Sequence, residues 1–370
     1  MRAAKTDLDP FVRIVKRTRF SKGQAWIVRL IAIFASLVVC AGLIYAIVGL
    51  NPLDVYASMF RGAFGTENRV WYTVRDTMML LCIGVGLAPA FKMRFWNLGA
   101  EGQILVGGIA TAACMIYLAP VLPTWLLFVV MVLASMLAGA LWGLVPTVFK
   151  AKWNTNEVLF TLMMNYVAIQ LTSFFVAMWE NPYGSNSVGI INPSTREGWF
   201  PALFGQNYML NVLIVMVLTV GMFVYLKYSK QGYEIAVVGE SERTARYAGI
   251  PVERVYLRTM LLSAAVCGLA GFIAVSGASH TISVNTADGR GFTAIIVAWM
   301  AKFNTLYMIA ISLLLVFFDK GAIQIASDFG LNDYASEMIT GIILFFLIGC
   351  EFFINYRLVF RGHKTKEAKA

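Results

Sequence analysis

Long apolar runs separated by short polar segments repeat along most of this chain. A helix that crosses a bilayer needs about 20 mostly apolar residues. By that criterion the pattern predicts about ten membrane-spanning helices, over residues 26–49, 70–91, 104–119, 124–147, 157–178, 208–226, 258–279, 291–303, 305–326 and 335–354. Between 292 and 326 the run is interrupted by Lys302, Asn304 and the adjacent Asp319 and Lys320, and we interpret this segment as two shorter or bent spans. The expected fold is therefore an all-α, polytopic membrane helix bundle.

Composition agrees with a membrane protein. Hydrophobic residues make up 59% of the chain and charged residues only 14%, whereas soluble domains contain about 45–50% and about 25%. So little charge cannot coat a soluble surface of this size, and lipid is the expected surrounding. The five cysteines are scattered singly in apolar runs, as buried small hydrophobic residues are, and two widely separated histidines argue against a metal site.

Lysines and arginines indicate the orientation of the bundle, because they are retained on the cytoplasmic side. If the N-terminus lies inside, 24 of the 30 basic residues are cytoplasmic, in the segments 1–29, 92–94, 150–152, 227–258, 302 and 357–370. We therefore expect both termini in the cytoplasm, with a basic N-terminal segment over 1–25, one transmembrane domain over 26–354 and a basic tail over 355–370. The net charge of +10 is then mostly an orientation signal. No basic, aromatic-rich soluble face predicts nucleic-acid binding.

The most informative polar feature lies between the second and third apolar runs, in the stretch Phe95-Trp96-Asn97-Leu98-Gly99-Ala100-Glu101-Gly102-Gln103. Two interpretations stay open. In one, this is a tight cytoplasmic turn in which Asn97 caps the next helix and Glu101 lies in its first turn. In the other, Asn97, Glu101 and Gln103 lie at a break that lines a transport path, because irregular backbone at membrane depth is tolerated where it lines a cavity.

Two further polar groups interrupt the apolar pattern. Asn154 followed by Glu157 has the spacing of a helix N-terminal box, and Asn165 lies on roughly the same helical face. We interpret these residues as a capped helix start and a packed interhelical amide. The glycine-rich segment 285–292 predicts either a short extracellular turn or the entry to a broken helix.

The longest predicted cytoplasmic loop, 227–258, contains a short helix with signals at both ends. Ser241 is placed to cap it and Gly249 to end it. The charged residues around it are Glu240, Glu242, Arg243 and Arg246. Because a connector between spans needs only a handful of residues, the capped helix favours a docking surface for another protein, and a solvated loop is the alternative.

The motifs that would signal chemistry do not occur. The chain has no G-x-x-x-x-G-K-[ST] phosphate loop, no H-E-x-x-H and no G-x-S-x-G. We therefore expect no ATP site, no metal site and no catalytic residues in this chain.

In combination the polar elements resemble a known family. Residues 97–103 are similar to the N-[IL]-G-A-E-G-Q signature of ABC transporter permeases for nucleosides and related simple sugars. The agreement continues in order over about 90–305, in Lys150-Ala151-Lys152, Asn156-Glu157-Val158, Met164-Asn165-Tyr166, Gly239, Ala248-Gly249-Ile250, Ser263, Gly268-Leu269-Ala270-Gly271 and Gly289-Arg290-Gly291-Phe292. Near the eighth span, where the family usually has Leu-Leu-Gly before Asn-Pro, residues 299–305 depart from it and lack the proline.

The resemblance implies a multi-pass importer subunit of the cell membrane that works beside a second, related permease. A cytoplasmic ATPase, often of two fused nucleotide-binding modules, would bind the ATP and drive transport, and an extracellular lipoprotein would deliver the substrate. The helix 241–248 would be the coupling helix that docks into the ATPase. The residues implied for coupling are Glu240, Ser241, Arg243, Arg246 and Gly249, and those implied near the substrate path are Asn97, Glu101, Gln103 and Asn165.

A nucleoside is the expected solute, and three alternatives are weighed against it. A permease of the same architecture for a simple sugar such as ribose is hardly separable by sequence. A self-sufficient secondary transporter or channel is disfavoured because the apolar runs hold few of the carboxylates that ion coupling needs. A membrane-bound enzyme has no catalytic constellation to support it.

Overall fold

The computed structural model of the protein describes residues 12–16, 22–48, 51–330 and 356–360, with isolated positions between 334 and 354. The elements are, in order, β1 (Val12–Lys16), α1 (Lys22–Val48), α2 (Pro52–Phe64), α3 (Glu67–Lys92), α4 (Ala100–Tyr117), α5 (Thr124–Trp153), α6 (Glu157–Met178), α7 (Met209–Tyr228), α8 (Lys230–Glu240), α9 (Glu242–Tyr247), α10 (Val252–Ala274), α11 (Arg290–Met300), α12 (Thr305–Asp328) and β2 (Tyr356–Phe360). A π-helical turn, Val275–Ser279, continues α10. The chain folds as two compact units, one of residues 63–317 and the other of 1–62 with 318–370.

Seven of the described helices are long and apolar enough to cross a bilayer, namely α3, α4, α5, α6, α7, α10 with its π turn, and α12. Each coincides with a predicted span, and the largest differences are at the end of α5 and the start of α10. The helix bundle is thus confirmed. α1 occupies the predicted first span, and the predicted span 335–354 lies outside the continuously described residues.

The unit 63–317 has a buried centre and an apolar exterior. In the most apolar 18-residue stretch, 89% of α3, 83% of α10 and 72% of α4 is buried, against 22% of α5. On α5 the leucines at positions 133, 137 and 141 are all more than half exposed. Their four-residue spacing places them on one face, so α5 presents an apolar stripe to lipid while α3, α4 and α10 form the core.

Glycines let the central helices approach closely. A Cβ added to Gly268 of α10 would overlap the carbonyl oxygen of Ser135 in α5, and one added to Gly107 of α4 would overlap the carbonyl oxygen of Gly268. Small residues at such crossings bring backbones into van der Waals contact, which is a main source of helix association where lipid removes the hydrophobic drive.

The predicted cytoplasmic loop 227–258 is mostly helical and contains more helix than the single short one expected. It contains α8 and α9, and α10 begins at Val252 instead of 258. The early start follows from packing, because Val252, Val255 and Tyr256 are all buried. α2 has no counterpart among the predicted elements, because this 13-residue amphipathic helix is too short and too polar to be predicted as a span.

Asn154 does not begin α6, contrary to the prediction. α5 continues beyond its predicted end, and Asn154 is its C-cap, with φ 51° in the left-handed region. The N-cap of α6 is Asn156, whose side-chain oxygen accepts from the N–H of Val158 at 3.0 Å. Two asparagines two residues apart therefore end one helix and begin the next.

In the unit of residues 1–62 and 318–370, β1 and β2 pair antiparallel, with Val12 opposite Phe360 and Lys16 opposite Tyr356. The Ser58 hydroxyl of α2 donates to the Asp328 carboxylate of α12 at 2.5 Å. The strands were not predicted, because each has only five residues and its partner is distant in sequence.

The α5–α10 crossing generates a stability prediction. Gly268→Ala is expected to lower the free energy of unfolding by about 1–3 kcal/mol, because the added methyl must push the backbone of α5 away. Gly221→Ala in α7 is the matched control, since nothing lies within 4 Å of its added Cβ and alanine favours a helix by about 1 kcal/mol. Thermal unfolding of the purified protein in detergent measures both, and equal midpoints for the two variants would contradict the packing argument.

Candidate functional site

Two of the irregular segments between helices of the unit 63–317 carry the glycine-rich polar motifs. The first break, residues 93–99, joins α3 to α4, and the second break, residues 280–289, joins the π turn to α11. In the orientation that the Lys and Arg distribution predicts, the Lys92 end of α3 is the inner, cytoplasmic end and its opposite end is the outer, extracellular one.

α11 is a half-length helix. Its 11 residues extend about 16 Å, whereas the hydrocarbon core of a bilayer is about 30 Å thick. It runs beside the inner part of α3: the Arg290 guanidinium is 3.8 Å from the Asp76 carboxylate, and the rings of Trp299 and Phe91 are 6.3 Å apart. The second break therefore starts α11 within the bundle. Of the two interpretations of this segment, the entry to a broken helix is the one that the structure adopts.

The first break is held by a pair of buried amides. Asn97 donates to the Gln103 side-chain oxygen at 3.2 Å, and Gln103 donates back to Asn97 Oδ1 at 3.1 Å. Asn97 Oδ1 also accepts from the N–H of Gly99 at 3.1 Å. Both side chains are almost fully buried. One interpretation expected Asn97 to cap α4. That expectation is wrong, because the N-cap position belongs to Gly99.

Two side chains of α6 bond the backbone of the same break. Asn165 accepts from the N–H of Gly102 at 2.9 Å and donates to the carbonyl oxygen of Leu98 at 2.8 Å. One turn earlier, the Thr161 hydroxyl accepts from the N–H of Leu98 at 3.2 Å. Sequence reasoning included Asn165 but missed Thr161, and its position four residues before Asn165, on the same helical face, was the available signal.

Glu101 connects the two breaks. It lies in the first turn of α4, as expected, and its Oε1 accepts from the N–H of Gly291, in the first turn of α11, at 2.9 Å. Gly291 is needed for this approach, because an added Cβ would lie 2.8 Å from the amide nitrogen of Glu101. The N-terminus of a helix carries partial positive charge and unsatisfied amides. The carboxylate of α4 therefore caps α11, a contact between two motifs that were recognised separately.

Exposed aromatic rings lie at the inner end of this arrangement. The rings of Trp96, in the first break, and Trp299, in α11, stack with centroids 5.4 Å apart. The two residues are 41% and 44% exposed. The buried contact between Glu101 and Gly291 thus lies deeper in the bundle than this surface stack.

On the outer side, the loop between α6 and α7 covers the π turn. The Trp199 indole stacks on the His280 ring at 3.9 Å, and the backbone N–H of Phe200 donates to the carbonyl oxygen of Ser276 at 3.2 Å. Burial lowers the pKa of His280, so its neutral form is favoured in this packed position.

The short inner helix forms where the sequence places it. Ser241 caps α9 by accepting from the N–H of Thr244 at 3.3 Å, and Gly249 has φ 75° just beyond its end. Ala245 is the buried residue of α9, while Arg243 and Arg246 are exposed. Tyr247 is 93% exposed, which sequence reasoning overlooked.

α9 is joined to the bundle through α8 and α10. The Tyr256 hydroxyl of α10 donates to the Glu242 carboxylate at 2.5 Å, and Arg258 of α10 forms an ion pair with Glu234 of α8. A Cβ added to Gly239 of α8 would overlap the carbonyl oxygen of Lys92. α8 therefore rests directly on the inner end of α3, one residue before the first break.

No group of three or more His, Cys, Asp or Glu side chains that could hold a metal ion occurs among the described residues.

The family model described as "Branched-chain amino acid transport system / permease component" matches residues 70–348. The guanosine ABC transporter permease NupP of Bacillus subtilis is 28% identical over 325 residues, covering 87% of this chain and 92% of the relative. The glucose ABC transporter permease TsgB13 of Haloferax volcanii is 27% identical over 326 residues, 85% of each chain. The nucleoside ABC transporter permease NupB of Lactococcus lactis is 27% identical over 360 residues, 95% of this chain and 96% of the relative.

These matches agree with the architecture. Proteins of this family are permease subunits of ABC transporters; they lie in the plasma membrane as multi-pass proteins, pair with another permease and depend on a separate ATPase, and they are not themselves enzymes. Because the family model covers most of the chain, including both breaks and α9, this protein belongs to the family of branched-chain amino acid transport system permease components and is the membrane subunit of an ABC importer.

Proposed function

We propose that this permease imports nucleosides and that the solute crosses the membrane beside the contact between Glu101 and Gly291. The hydrogen bond between these residues carries the proposal for the path, because it joins the first turns of α4 and α11, the two helices that begin at the breaks. Irregular backbone at membrane depth occurs where it is buried in protein or lines a cavity, and discontinuous helices form the substrate sites of many transporters.

The four polar residues have different roles in this proposal. Three of them serve as the frame of the path. Asn97 and Gln103 bond each other, and Asn165 bonds the backbone on both sides of the start of α4, so together they hold the first break in one shape. Glu101 acts at the closure itself. Separating α11 from α4 must break its bond to Gly291, so the contact is a gate that alternating access would open and close.

Coupling to the ATPase is assigned to α9. A helix of six residues with one buried side chain cannot be stabilised by its own packing, and its exposed Arg243, Arg246 and Tyr247 suit a protein interface, where arginine and tyrosine are enriched. The bonds of α9 and α8 to α10 give a rigid connection from this surface to the core. We further propose that the ATPase has two fused nucleotide-binding modules and that an extracellular lipoprotein delivers the solute to the outer face.

The nucleoside assignment rests on the relatives, since two of the three similar permeases are named for guanosine or nucleosides and one for glucose. The chemistry shared by these solutes is a ring bearing several hydroxyl groups. A simple-sugar permease is therefore the second candidate, and the glucose relative is the observation that favours it.

The substrate is testable by competition. In cells that produce this permease with its second permease, ATPase and lipoprotein, uptake of radiolabelled guanosine is expected. Excess unlabelled nucleoside should abolish it, while ribose and glucose should compete only at much higher concentrations. Sugars that compete as well as guanosine would favour the sugar candidate. Accumulation by this chain alone in liposomes, driven only by an ion gradient, would contradict an ATP-driven permease.

The coupling role predicts the effect of charge removal on α9. The double variant Arg243→Ala, Arg246→Ala is expected to reduce uptake roughly tenfold or more, which corresponds to about 1.4 kcal/mol of lost docking energy, while the complex retains ATPase activity. Lys152→Ala is the matched control, because Lys152 is also basic, exposed and at an inner helix end. Normal uptake in a double variant that reaches the membrane would exclude this role.

The gate predicts a difference between two substitutions at Glu101. Glu101→Gln keeps an acceptor for the Gly291 amide and is expected to retain most of the uptake. Glu101→Leu leaves a buried donor unsatisfied, which costs about 1–3 kcal/mol, and uptake should fall roughly tenfold. Uptake assays and thermal unfolding of both variants measure the effect, and equal losses in the two would show that the hydrogen bond is not what matters.

A further inference from the structure

A polar cavity lies on the outer side of the gate. Its volume is about 210 Å³, and it is enclosed by α3, α7, the π turn and the second break. The charged residues in its wall are Arg75, Asp76, Asp288 and Arg290. Arg290 directly precedes Gly291, so the floor of the cavity is the start of α11 that Glu101 caps.

The charges in the wall balance one another. Arg75 pairs with Asp76 at 2.9 Å, and Arg290 lies 3.8 Å from Asp76 and 3.4 Å from Asp288. Two cations and two anions leave no net charge, which favours an uncharged ligand over an anion or a cation. The remaining donors and acceptors still offer charge-assisted hydrogen bonds, which are the stronger kind.

Asn211 of α7 supplies an acceptor that is not used by the described residues. Its side chain is fully buried and lines the cavity. The amide nitrogen donates to the carbonyl oxygen of Gly277 at 3.2 Å, which sets the orientation of the group. Its Oδ1 has no hydrogen-bond partner among the described residues. A buried acceptor left unpaired is costly, and such groups in native structures call for an explanation.

A ligand for this wall must donate and accept at neighbouring positions. Hydroxyl groups do both, so two adjacent hydroxyls can accept from a guanidinium and donate to a carboxylate or to Asn211 Oδ1. The cavity is smaller than the roughly 300–1,000 Å³ of sites for whole drug-sized ligands. The lining residues that the structure describes include no aromatic ring on which a base could stack.

We propose that this cavity is a subsite for the hydroxylated ring of the transported solute, the furanose of a nucleoside or the ring of a simple sugar. The proposal rests on the proposed function and adds to it a location and a chemistry. The ring is held just above the gate, and the base of a nucleoside lies outside the cavity.

Protection of an engineered cysteine tests the subsite directly. Asn285 is an exposed residue of the cavity wall, and Cys40, Cys82, Cys114 and Cys267 are buried. In a Cys350→Ser background, Asn285→Cys is labelled from outside with a membrane-impermeant maleimide in membranes containing the complete transporter. Ribose and uridine are expected to slow labelling severalfold, and uracil, which lacks the ring, should have no effect. Asn186→Cys, on the exposed outer loop, is the control whose labelling no solute should change.

Two further variants test whether the protection of Asn285→Cys depends on residues of the cavity wall. Asn211→Leu removes the acceptor and Asp288→Asn removes one charge from a side chain that is 67% exposed, where folding tolerates the change. Each should raise the ribose concentration needed for protection. For Asn211→Leu the expected increase is roughly tenfold, which corresponds to about 1.4 kcal/mol for one lost hydrogen bond. If neither of the two single variants changed the ribose concentration needed for protection, the subsite would be overturned.

The possible results separate the subsite from the proposed function. Uridine uptake without any protection of Asn285→Cys would overturn the subsite and leave nucleoside import standing. Protection by uracil as strong as by ribose would also overturn it, because the ring would not be what binds. Protection by ribose in a transporter that takes up no nucleoside would support the subsite and exclude nucleoside import.

Discussion

The requirement that backbone amides be hydrogen-bonded away from water governs the centre of this permease. An unsatisfied amide or carbonyl in hydrocarbon costs several kcal/mol, yet two helices of the bundle begin at irregular segments. The Glu101 carboxylate satisfies the start of α11, and Asn165 satisfies both sides of the start of α4. The start of each helix therefore depends on a side chain from another helix. The two breaks are linked because Glu101, in the first turn of α4, caps the start of α11.

How much of this arrangement the sequence predicts depends on the distance over which each contact acts. The spans follow from local apolar runs, and the cap of α9 follows from Ser241 and Gly249, a few residues apart. The polar residues of the first break stand out because polarity in an apolar context is rare. The contact between Glu101 and Gly291, separated by 190 residues, has no local signal. Thr161 was missed for a related reason, since a threonine in an apolar helix is ordinary until its partner, the amide of Leu98, is known.

The inner surface and the first break are connected over a short distance. α8 packs on the carbonyl oxygen of Lys92, where the added Cβ of Gly239 would also lie 3.3 Å from the Cα of Met93, the first residue of the break. The Lys92 ammonium donates to the carbonyl oxygen of Leu226 at 3.1 Å, which joins the inner ends of α3 and α7. The contact between α8 and α3 therefore lies one residue from irregular backbone, so a displacement of α8 and α9 would act almost directly on the first break. Helical segments transmit such a displacement as rigid bodies, and the break is where the chain can change direction.

Two groups of buried polar residues in this unit differ in whether all of their hydrogen-bonding atoms have partners. Each side-chain nitrogen and oxygen of Asn97, Gln103 and Asn165 has at least one hydrogen-bond partner, and such a network rigidifies what it surrounds. Asn211, at 0% exposure, uses its donor but not its acceptor within the described residues. Burial of an unpaired acceptor costs free energy that the rest of the fold must offset. If Asn211 belongs to the proposed subsite, a hydroxyl of the solute returns that cost on binding, and the unpaired acceptor then makes binding more favourable.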